Sequence, residues 1–144
     1  MDIYEQIVEL YLTVVEGCAV IPQVPILKSI EGKPWAAYPD FLGIDFNKRC
    51  IWIVEVSKST SRETAINLAA KLQSEHRSNI EHYVKSSTLN NEVNFPIYWC
   101  FFIRRSNIEV LKSAPAYREY TEKGGHVELF ALEDVFDSIR DLMP

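Results

Sequence analysis

Two acidic residues, Asp40 and Glu55, have the types and spacing that suggest chemistry in this chain. Asp40 follows a proline and opens an apolar run, and Glu55 lies near the end of a second apolar run. A carboxylate inside an apolar strand is costly unless it is paired, protonated or bound to a cation. We therefore interpret the two acids as ligands of one shared metal ion.

Two adjacent strands are predicted to position these acids. The strands cover 38–46 and 50–57 and are joined by a tight turn. If Phe46 pairs with Arg49 across that turn, the two acids lie directly opposite each other, with Cβ atoms about 5 Å apart. A pairing shifted by one residue places them on opposite faces of the sheet, and the sequence leaves this register open. The second strand is apolar on both faces, which is typical of a sheet covered by helices on both sides.

Apolar periodicity predicts the remaining elements and an α/β fold. A long helix should follow the capping sequence at 60–63, with Ile66 on its inner face. Residues 18–37 are predicted to be irregular apart from a short strand near 18–21. The other predicted elements are helix 2–16, the long helix to about 84, strand 96–103, a short strand at 108–111, a helix from Pro115 to Gly124, strand 127–130 and helix 132–142. This order predicts one α/β sandwich with a mixed sheet over residues 1–144.

The composition fits a globular chain in a reducing compartment. With 144 residues, 47% apolar and 24% charged, the chain is long enough for a core of its own. No apolar run approaches the roughly 20 residues that cross a bilayer, and the acidic N-terminus lacks a signal-peptide pattern. The three cysteines, Cys18, Cys50 and Cys100, lie far apart in apolar stretches, which predicts buried thiols rather than disulfides or zinc ligands. We therefore expect a cytoplasmic protein without a membrane segment.

The net charge of −5 argues against a protein that coats nucleic acid without preference, because such binding depends on neutralising phosphates. A local basic patch would still permit contact with nucleic acid. The alternative is that the cations are scattered and only keep the surface charged. The candidate cations for one patch are Lys48, Arg49, Lys58, Arg62, Arg104 and Arg105.

The order of elements and the two acidic motifs resemble the PD-(D/E)XK nuclease superfamily. The motifs are Pro39-Asp40 on one predicted strand and Glu55-Val56-Ser57 on the next, just before a capped helix. The resemblance implies a restriction-endonuclease-like fold, a three-layer sandwich whose central mixed sheet is flanked by helices. It also implies that Asp40, Glu55 and the backbone carbonyl of Val56 bind Mg²⁺ or Mn²⁺, and that the chain hydrolyses phosphodiester bonds in DNA. Such chemistry needs a hard cation that screens the phosphate and lowers the pKa of the attacking water.

The third letter of the motif departs from the superfamily, because Ser57 stands where the lysine is expected and Lys58 follows it. In a regular strand Lys58 points away from Glu55, so it reaches the metal only if the strand bulges. Alternatively, Ser57 positions a water and a helix residue such as Lys71 or Gln73 replaces the lysine. The candidate catalytic residues are therefore the two acids together with Ser57 and Lys58.

A second function stays open on the same residues. The missing lysine and the acidic net charge favour a chain that has kept a nuclease fold, has lost hydrolysis and serves as a nucleic-acid- or protein-binding scaffold. In that case Glu55 pairs with a buried lysine or arginine. An active enzyme of this size is expected to form a homodimer or to act with a larger protein partner. Asp45 is expected to be a hairpin residue rather than a ligand, and Glu9 or Glu16 is the candidate acid from the first helix.

Overall fold

Five consecutive strands follow the first helix, and helices and single strands make up the rest of the computed structural model, which describes residues 2–22, 26–30, 33–37, 39–86 and 94–143. The helices are α1 (Ile3–Val14), α2 (Arg62–Ala70), α3 (Ser74–Ser86), α4 (Ile108–Lys112), α5 (Pro115–Glu122) and α6 (Leu132–Leu142), with a 3₁₀ turn at Arg105–Asn107. The strands are β1 (Ala19–Pro22), β2 (Ile26–Ile30), β3 (Lys33–Ala37), β4 (Phe41–Asp45), β5 (Cys50–Ser57), β6 (Ile97–Ile103) and β7 (Val127–Ala131). No helix in these ranges combines the length and the apolar content needed to cross a bilayer.

The main sheet has five strands in the order β1-β4-β5-β6-β7. The β1–β4 and β4–β5 pairs are antiparallel, whereas the β5–β6 and β6–β7 pairs are parallel. In the β4–β5 hairpin Asp45 pairs with Cys50 and Phe41 with Val54. Of the registers that the sequence left open, this is the one in which the two candidate acids face each other. The strands β2 and β3 form a separate antiparallel pair.

Helices cover both faces of the main sheet because the central strands are apolar on both sides. One face packs against α2, α3, α4 and α5, and the other packs against α1 and α6. The buried residues of the first face include Leu42, Ile51, Ile53, Leu68, Leu72, Ile80, Trp99, Phe101 and Leu111. Those of the second face include Val8, Tyr11, Leu12, Phe41, Trp52, Val54, Phe102, Leu132 and Val135. The predicted α/β architecture with a mixed sheet flanked by helices is therefore confirmed.

The three cysteines are free thiols inside the second face of the core, as predicted. Burial raises the pKa of Cys18 to about 12 and that of Cys50 to about 11, and it raises the pKa of Cys100 well above its ordinary value. Thiols with such pKa values are weak nucleophiles at neutral pH. They act as small apolar side chains in this core.

Several predicted elements were wrong in type or extent. The predicted long helix is two helices, α2 and α3, and Ile66 on α2 is 47% exposed instead of buried. The predicted strand at 108–111 is helix α4. The part of 18–37 that was expected to be irregular contains β2 and β3. The helix cap also differs, because Ser61 rather than Thr60 is the N-cap of α2 and its side chain makes no capping hydrogen bond.

Candidate functional site

Asp40 lies one residue before β4, so the hairpin register places it opposite Glu55. Its Oδ2 accepts a hydrogen bond from the backbone N–H of Val56 at 2.7 Å. This bond continues the ladder between β4 and β5 by one step, with a side chain in place of a carbonyl. The bond fixes the carboxylate of Asp40 against the end of β5. Glu55 is its neighbour on the same face of the sheet.

Glu55 is only 4% exposed and makes a close ion pair with a helix residue. The Nζ atom of Lys71 lies 3.0 Å from its Oε2, and the Lys71 side chain is 41% exposed. The ammonium group of Lys71 therefore lies between a buried carboxylate and solvent. Of the two helix residues predicted to replace the motif lysine, Lys71 and Gln73, it is Lys71 that contacts this acid.

Lys71 reaches Glu55 because the helix ends there. The N–H groups of residues 71, 72 and 73 bond to the carbonyls three residues earlier, at 3.1, 3.0 and 3.1 Å. Such bonds tighten the last turn of a helix into 3₁₀ geometry. Lys71 is the C-cap residue of α2, and α3 begins at Ser74. Leu72 in this turn is 1% exposed and anchors the turn in the core.

Both acids have raised pKa values, and burial is the largest cause in each case. Burial raises the pKa of Glu55 to about 7, opposed by the positive charge of Lys71 and increased by the charge of Asp40 and by a hydrogen-bond contact with it. Burial likewise raises the pKa of Asp40 to about 6, opposed by the hydrogen bond from Val56. Carboxylates with raised pKa values at neighbouring positions are typical of functional sites, although structural ion-pair networks also produce them.

A third acid, Glu5 of α1, also acts on Asp40 and was missed by the sequence analysis. Its charge and a side-chain contact raise the pKa of Asp40 further. Glu5 also completes a capping box, because its Oε2 accepts from the backbone N–H of Asp2 at 3.1 Å. Of the two candidate first-helix acids, Glu16 accepts from the hydroxyl of Tyr11 at 3.0 Å and lies near Lys48 of the β4–β5 turn. The capping box at the start of α1 was the signal that places Glu5 at this end of the helix.

The backbone carbonyl of Val56 opens toward the same edge as the Asp40 carboxylate. In a strand the N–H and the C=O of one residue point to the same side, and the side alternates along the chain. Val56 directs its N–H to Asp40, whereas Ile51 directs its N–H to the carbonyl of Pro96 on the β6 side. The Val56 carbonyl consequently faces the Asp40 side, beyond the first residue of β4.

The two other candidate catalytic residues, Ser57 and Lys58, lie at the end of β5 on different faces. Ser57 shares the face of Glu55, and its Oγ accepts a long hydrogen bond from the N–H of Ser59 at 3.4 Å. Lys58 is exposed, and its Nζ lies 5.8 Å from the ring centroid of Tyr4, on the α1 side of the sheet. The structure thus brings Lys71, and not Lys58, to the acids, because β5 runs without a bulge to its last residue.

The six candidate cations do not all lie together. Lys48 and Arg49 lie in the β4–β5 turn, whereas the other candidates follow the opposite ends of β5 and β6. Arg104 and Arg105 bind carboxylates of α6, with Nε of Arg104 3.5 Å from Glu133 and Arg105 in contact with Asp134. Of the two arrangements that the sequence left open, one patch of all six cations is therefore not formed.

The donor set fits a divalent cation that completes its shell with water. Three carboxyl groups (Glu5, Asp40 and Glu55) and one ammonium (Lys71) surround a partly desolvated corner. Among the described residues no group of three or more histidine, cysteine, aspartate or glutamate side chains is arranged to hold a metal ion by itself. Mg²⁺ usually binds to one or two carboxylates and keeps several waters. Asp40, Glu55 and the Val56 carbonyl are therefore a sufficient protein contribution.

Comparison with protein-family models, with curated proteins and with solved structures gives no match for this chain.

Proposed function

We propose that this chain is a Mg²⁺- or Mn²⁺-dependent nuclease domain of the restriction-endonuclease-like type, acting on phosphodiester bonds in DNA. The observation that carries the proposal is the pairing of Asp40 with Glu55 at one edge of the sheet, with Lys71 3.0 Å from Glu55. Two neighbouring acids whose pKa values are raised mainly by burial, with a lysine at their rim, match the chemistry that the sequence motifs imply. The substrate class follows from the resemblance to the superfamily.

Each residue has a distinct role in this proposal. Asp40 and Glu55 would hold the metal ion, and the N–H of Val56 fixes the carboxylate of Asp40 against β5. When bound, the ion supplies Lewis-acid stabilisation of the phosphate and a water of lowered pKa. Lys71 takes the place of the motif lysine: its ammonium donates to the water or to a phosphate oxygen beside Glu55, since it has three donors and is partly exposed. Ser57 lies on the same face and contributes a hydroxyl at the rim.

A cleavage assay with matched variants tests this proposal. Supercoiled plasmid, single-stranded DNA and RNA are incubated with the protein and Mn²⁺ or Mg²⁺. We expect cleavage of DNA by the wild type, and a loss of more than about 100-fold in Asp40→Asn and in Glu55→Gln, because a metal ligand contributes several kcal/mol. The control is Asp45→Asn, which removes a buried acid from the same strand but keeps an oxygen that accepts from the N–H groups of Asn47 and Lys48. Equal activity in all four proteins, or none in the wild type, contradicts the proposal.

One observation favours a second candidate function, a binding scaffold without hydrolysis. The Lys71–Glu55 contact is also the contact expected of an ion pair that only neutralises a buried acid. In that case the acids stabilise the fold and bind no metal. A wild type that cleaves none of the three nucleic acids in Mn²⁺ and shows no metal affinity would support the scaffold. Capture of DNA or RNA on a filter without cleavage would then define its ligand.

A further inference from the structure

The segment between β5 and α2, residues 58–61, links the strand that carries Glu55 to the helix that carries Lys71. It is rich in hydroxyl groups, and Lys58, Thr60 and Ser61 within it are exposed. An exposed connection of this kind is expected to be among the more mobile parts of a domain. The conformation of this segment nevertheless determines where α2 begins. It therefore also determines where the end of α2 places Lys71.

Asn107, at the end of the 3₁₀ turn after β6, holds this segment in place. It is 3% exposed, and its Nδ2 donates to the carbonyl of Ser59 at 3.0 Å and to the carbonyl of Ser61 at 3.1 Å. Both donors of one buried amide are thus used on a segment 46 to 48 residues earlier in the chain. Buried polar groups are costly when they lose their partners, so this pair of bonds strongly favours one arrangement of the segment.

Hydrogen bonds within the segment extend the same restraint to both of its ends. The Oγ of Ser59 accepts from the N–H of Ser61 at 3.0 Å and from the hydroxyl of Thr64 in the first turn of α2 at 3.1 Å. The N–H of Ser59 reaches back to Ser57 at the end of β5. Asn107 is therefore connected, through Ser59, to the last residue of β5 and to the start of α2.

We infer that Asn107 is a positioning residue for the acid–lysine pair: it fixes the β5–α2 segment so that α2 presents Lys71 to Glu55. This inference rests on the proposed nuclease function. The side-chain amide of Asn107 donates to Ser59 and Ser61 and not to the acids or Lys71, so it acts through the segment and the helix. Glu55 is held by the pairing of β5 with β6 and Asp40 by the N–H of Val56, so the metal ligands stay in place when Asn107 is removed. Its loss should therefore affect the chemical step and not metal affinity.

The test combines kinetics with hydrogen exchange on Asn107→Ala and on Ser59→Ala. At saturating DNA and Mn²⁺ we expect kcat to fall about 10-fold to 100-fold in each variant, because small displacements of a reacting group cost this much. The Mn²⁺ dissociation constant should change by less than about twofold, since the ligands are untouched. The backbone amides of 57–64 should exchange faster in both variants. The double variant should lose no more than the worse single variant, because both changes break one network.

A control separates positioning from loss of stability. Val135→Ala removes volume from the opposite face of the core, where Val135 is 1% exposed. It is expected to destabilise the fold without changing kcat at a temperature where it is fully folded. An Asn107→Ala variant with faster exchange in the segment but an unchanged kcat overturns the positioning role, and unchanged exchange overturns the restraint itself. A wild type that neither binds Mn²⁺ nor cleaves DNA refutes the proposed function instead, and the exchange result still decides whether Asn107 holds the segment.

Discussion

The β4–β5 hairpin has a buried acid at each end, Asp45 at the turn and Glu55 at the open end. The two acids have different kinds of partner. At the turn, Asp45 is 1% exposed and accepts from the N–H groups of Asn47 and Lys48 at 3.0 and 2.8 Å. At the open end, Asp40 accepts from the N–H of Val56 and Glu55 pairs with the ammonium of Lys71. The comparison teaches that burial alone does not distinguish the two ends. Asp45 is satisfied by the N–H groups of its own turn, whereas the acids at the open end are the pair that we propose to bind a cation.

Among the substitutions that test this comparison, we expect the largest effect from replacing Lys71. Replacing it by methionine keeps the length of the side chain and removes the positive charge beside Glu55. We expect kcat for DNA cleavage to fall about 100-fold, as when one preorganised charged donor is lost from a reaction site. The Mn²⁺ affinity should not weaken, because the acids then have less competition for the cation. Weaker metal binding together with an unchanged kcat would show that Lys71 is part of the structure and not of the chemistry.

At the turn the comparison predicts an effect on stability. Asp45→Ala leaves two backbone N–H groups without their acceptor and should lower the free energy of unfolding by about 1–3 kcal/mol. Asp45→Asn keeps the acceptor and should cost less than about 1 kcal/mol. Urea unfolding followed by circular dichroism measures both changes. If the two variants are equally destabilised, the charge of Asp45, and not its hydrogen bonds, stabilises the turn.

At the open end of the hairpin, the comparison predicts that replacing an acid increases the stability of the fold. The pKa values of Asp40 and Glu55 are raised in the folded state, to about 6 and about 7. Their contribution to stability is present below the unfolded-state pKa of about 4 and is lost as the pH rises through these folded-state values. Without metal, Glu55→Gln should therefore be more stable than the wild type at pH 8, by on the order of 1–2 kcal/mol.

The same unfolding measurement at pH 5 is the control for this prediction. Near that pH the wild-type Glu55 is largely protonated in the folded state, so Gln and Glu should give similar stability. Added Mn²⁺ at pH 8 should reverse the order by stabilising only the wild type. A Glu55→Gln variant that is less stable than the wild type at pH 8 without metal would mean that the Lys71–Glu55 pair is a net stabilising bridge.

The smallest effect is expected at Glu5, which contributes charge from α1. Glu5→Gln keeps an oxygen for the N–H of Asp2, so the capping box is retained. The loss of one negative charge near Asp40 should weaken Mn²⁺ binding by about 10-fold or less, the range of an outer residue of a metal site. Calorimetry measures this change. An unchanged Mn²⁺ affinity would show that Glu5 does not belong to the metal site.

The two acids and their strands were predictable from sequence because a strand has a period of two, whereas the register between the strands stayed open until the turn was known. The position of Asp40 relative to Glu55 follows from this period once the turn is known. The central strands were predictable for the same reason, since their apolar runs are long. Ile108 and Val110 led to a wrong strand prediction because β-branched residues at alternate positions fit a strand, while the actual segment is a short helix packed against α2.

The partners of the acids could not be predicted to the same degree. Lys71 was one of two helix candidates, and the choice between them depends on where α2 ends, which the weak capping signals did not reveal. Glu5 depends on how α1 lies against the sheet, which is set by packing between distant residues. Asn107 was missed because its role depends on contacts 46 to 48 residues away. Sequence periodicity describes faces of single elements, and these three residues act between elements.

The most direct test of the account is a calorimetric Mn²⁺ titration of the wild type, Asp40→Asn, Glu55→Gln and Asp45→Asn at pH 8. We predict one Mn²⁺ per chain in the wild type, an affinity within about twofold of it in Asp45→Asn, and at least about 10-fold weaker binding in the other two variants. Binding that is unchanged in Asp40→Asn and Glu55→Gln, or absent from the wild type, would contradict the claim that these two acids share one divalent cation.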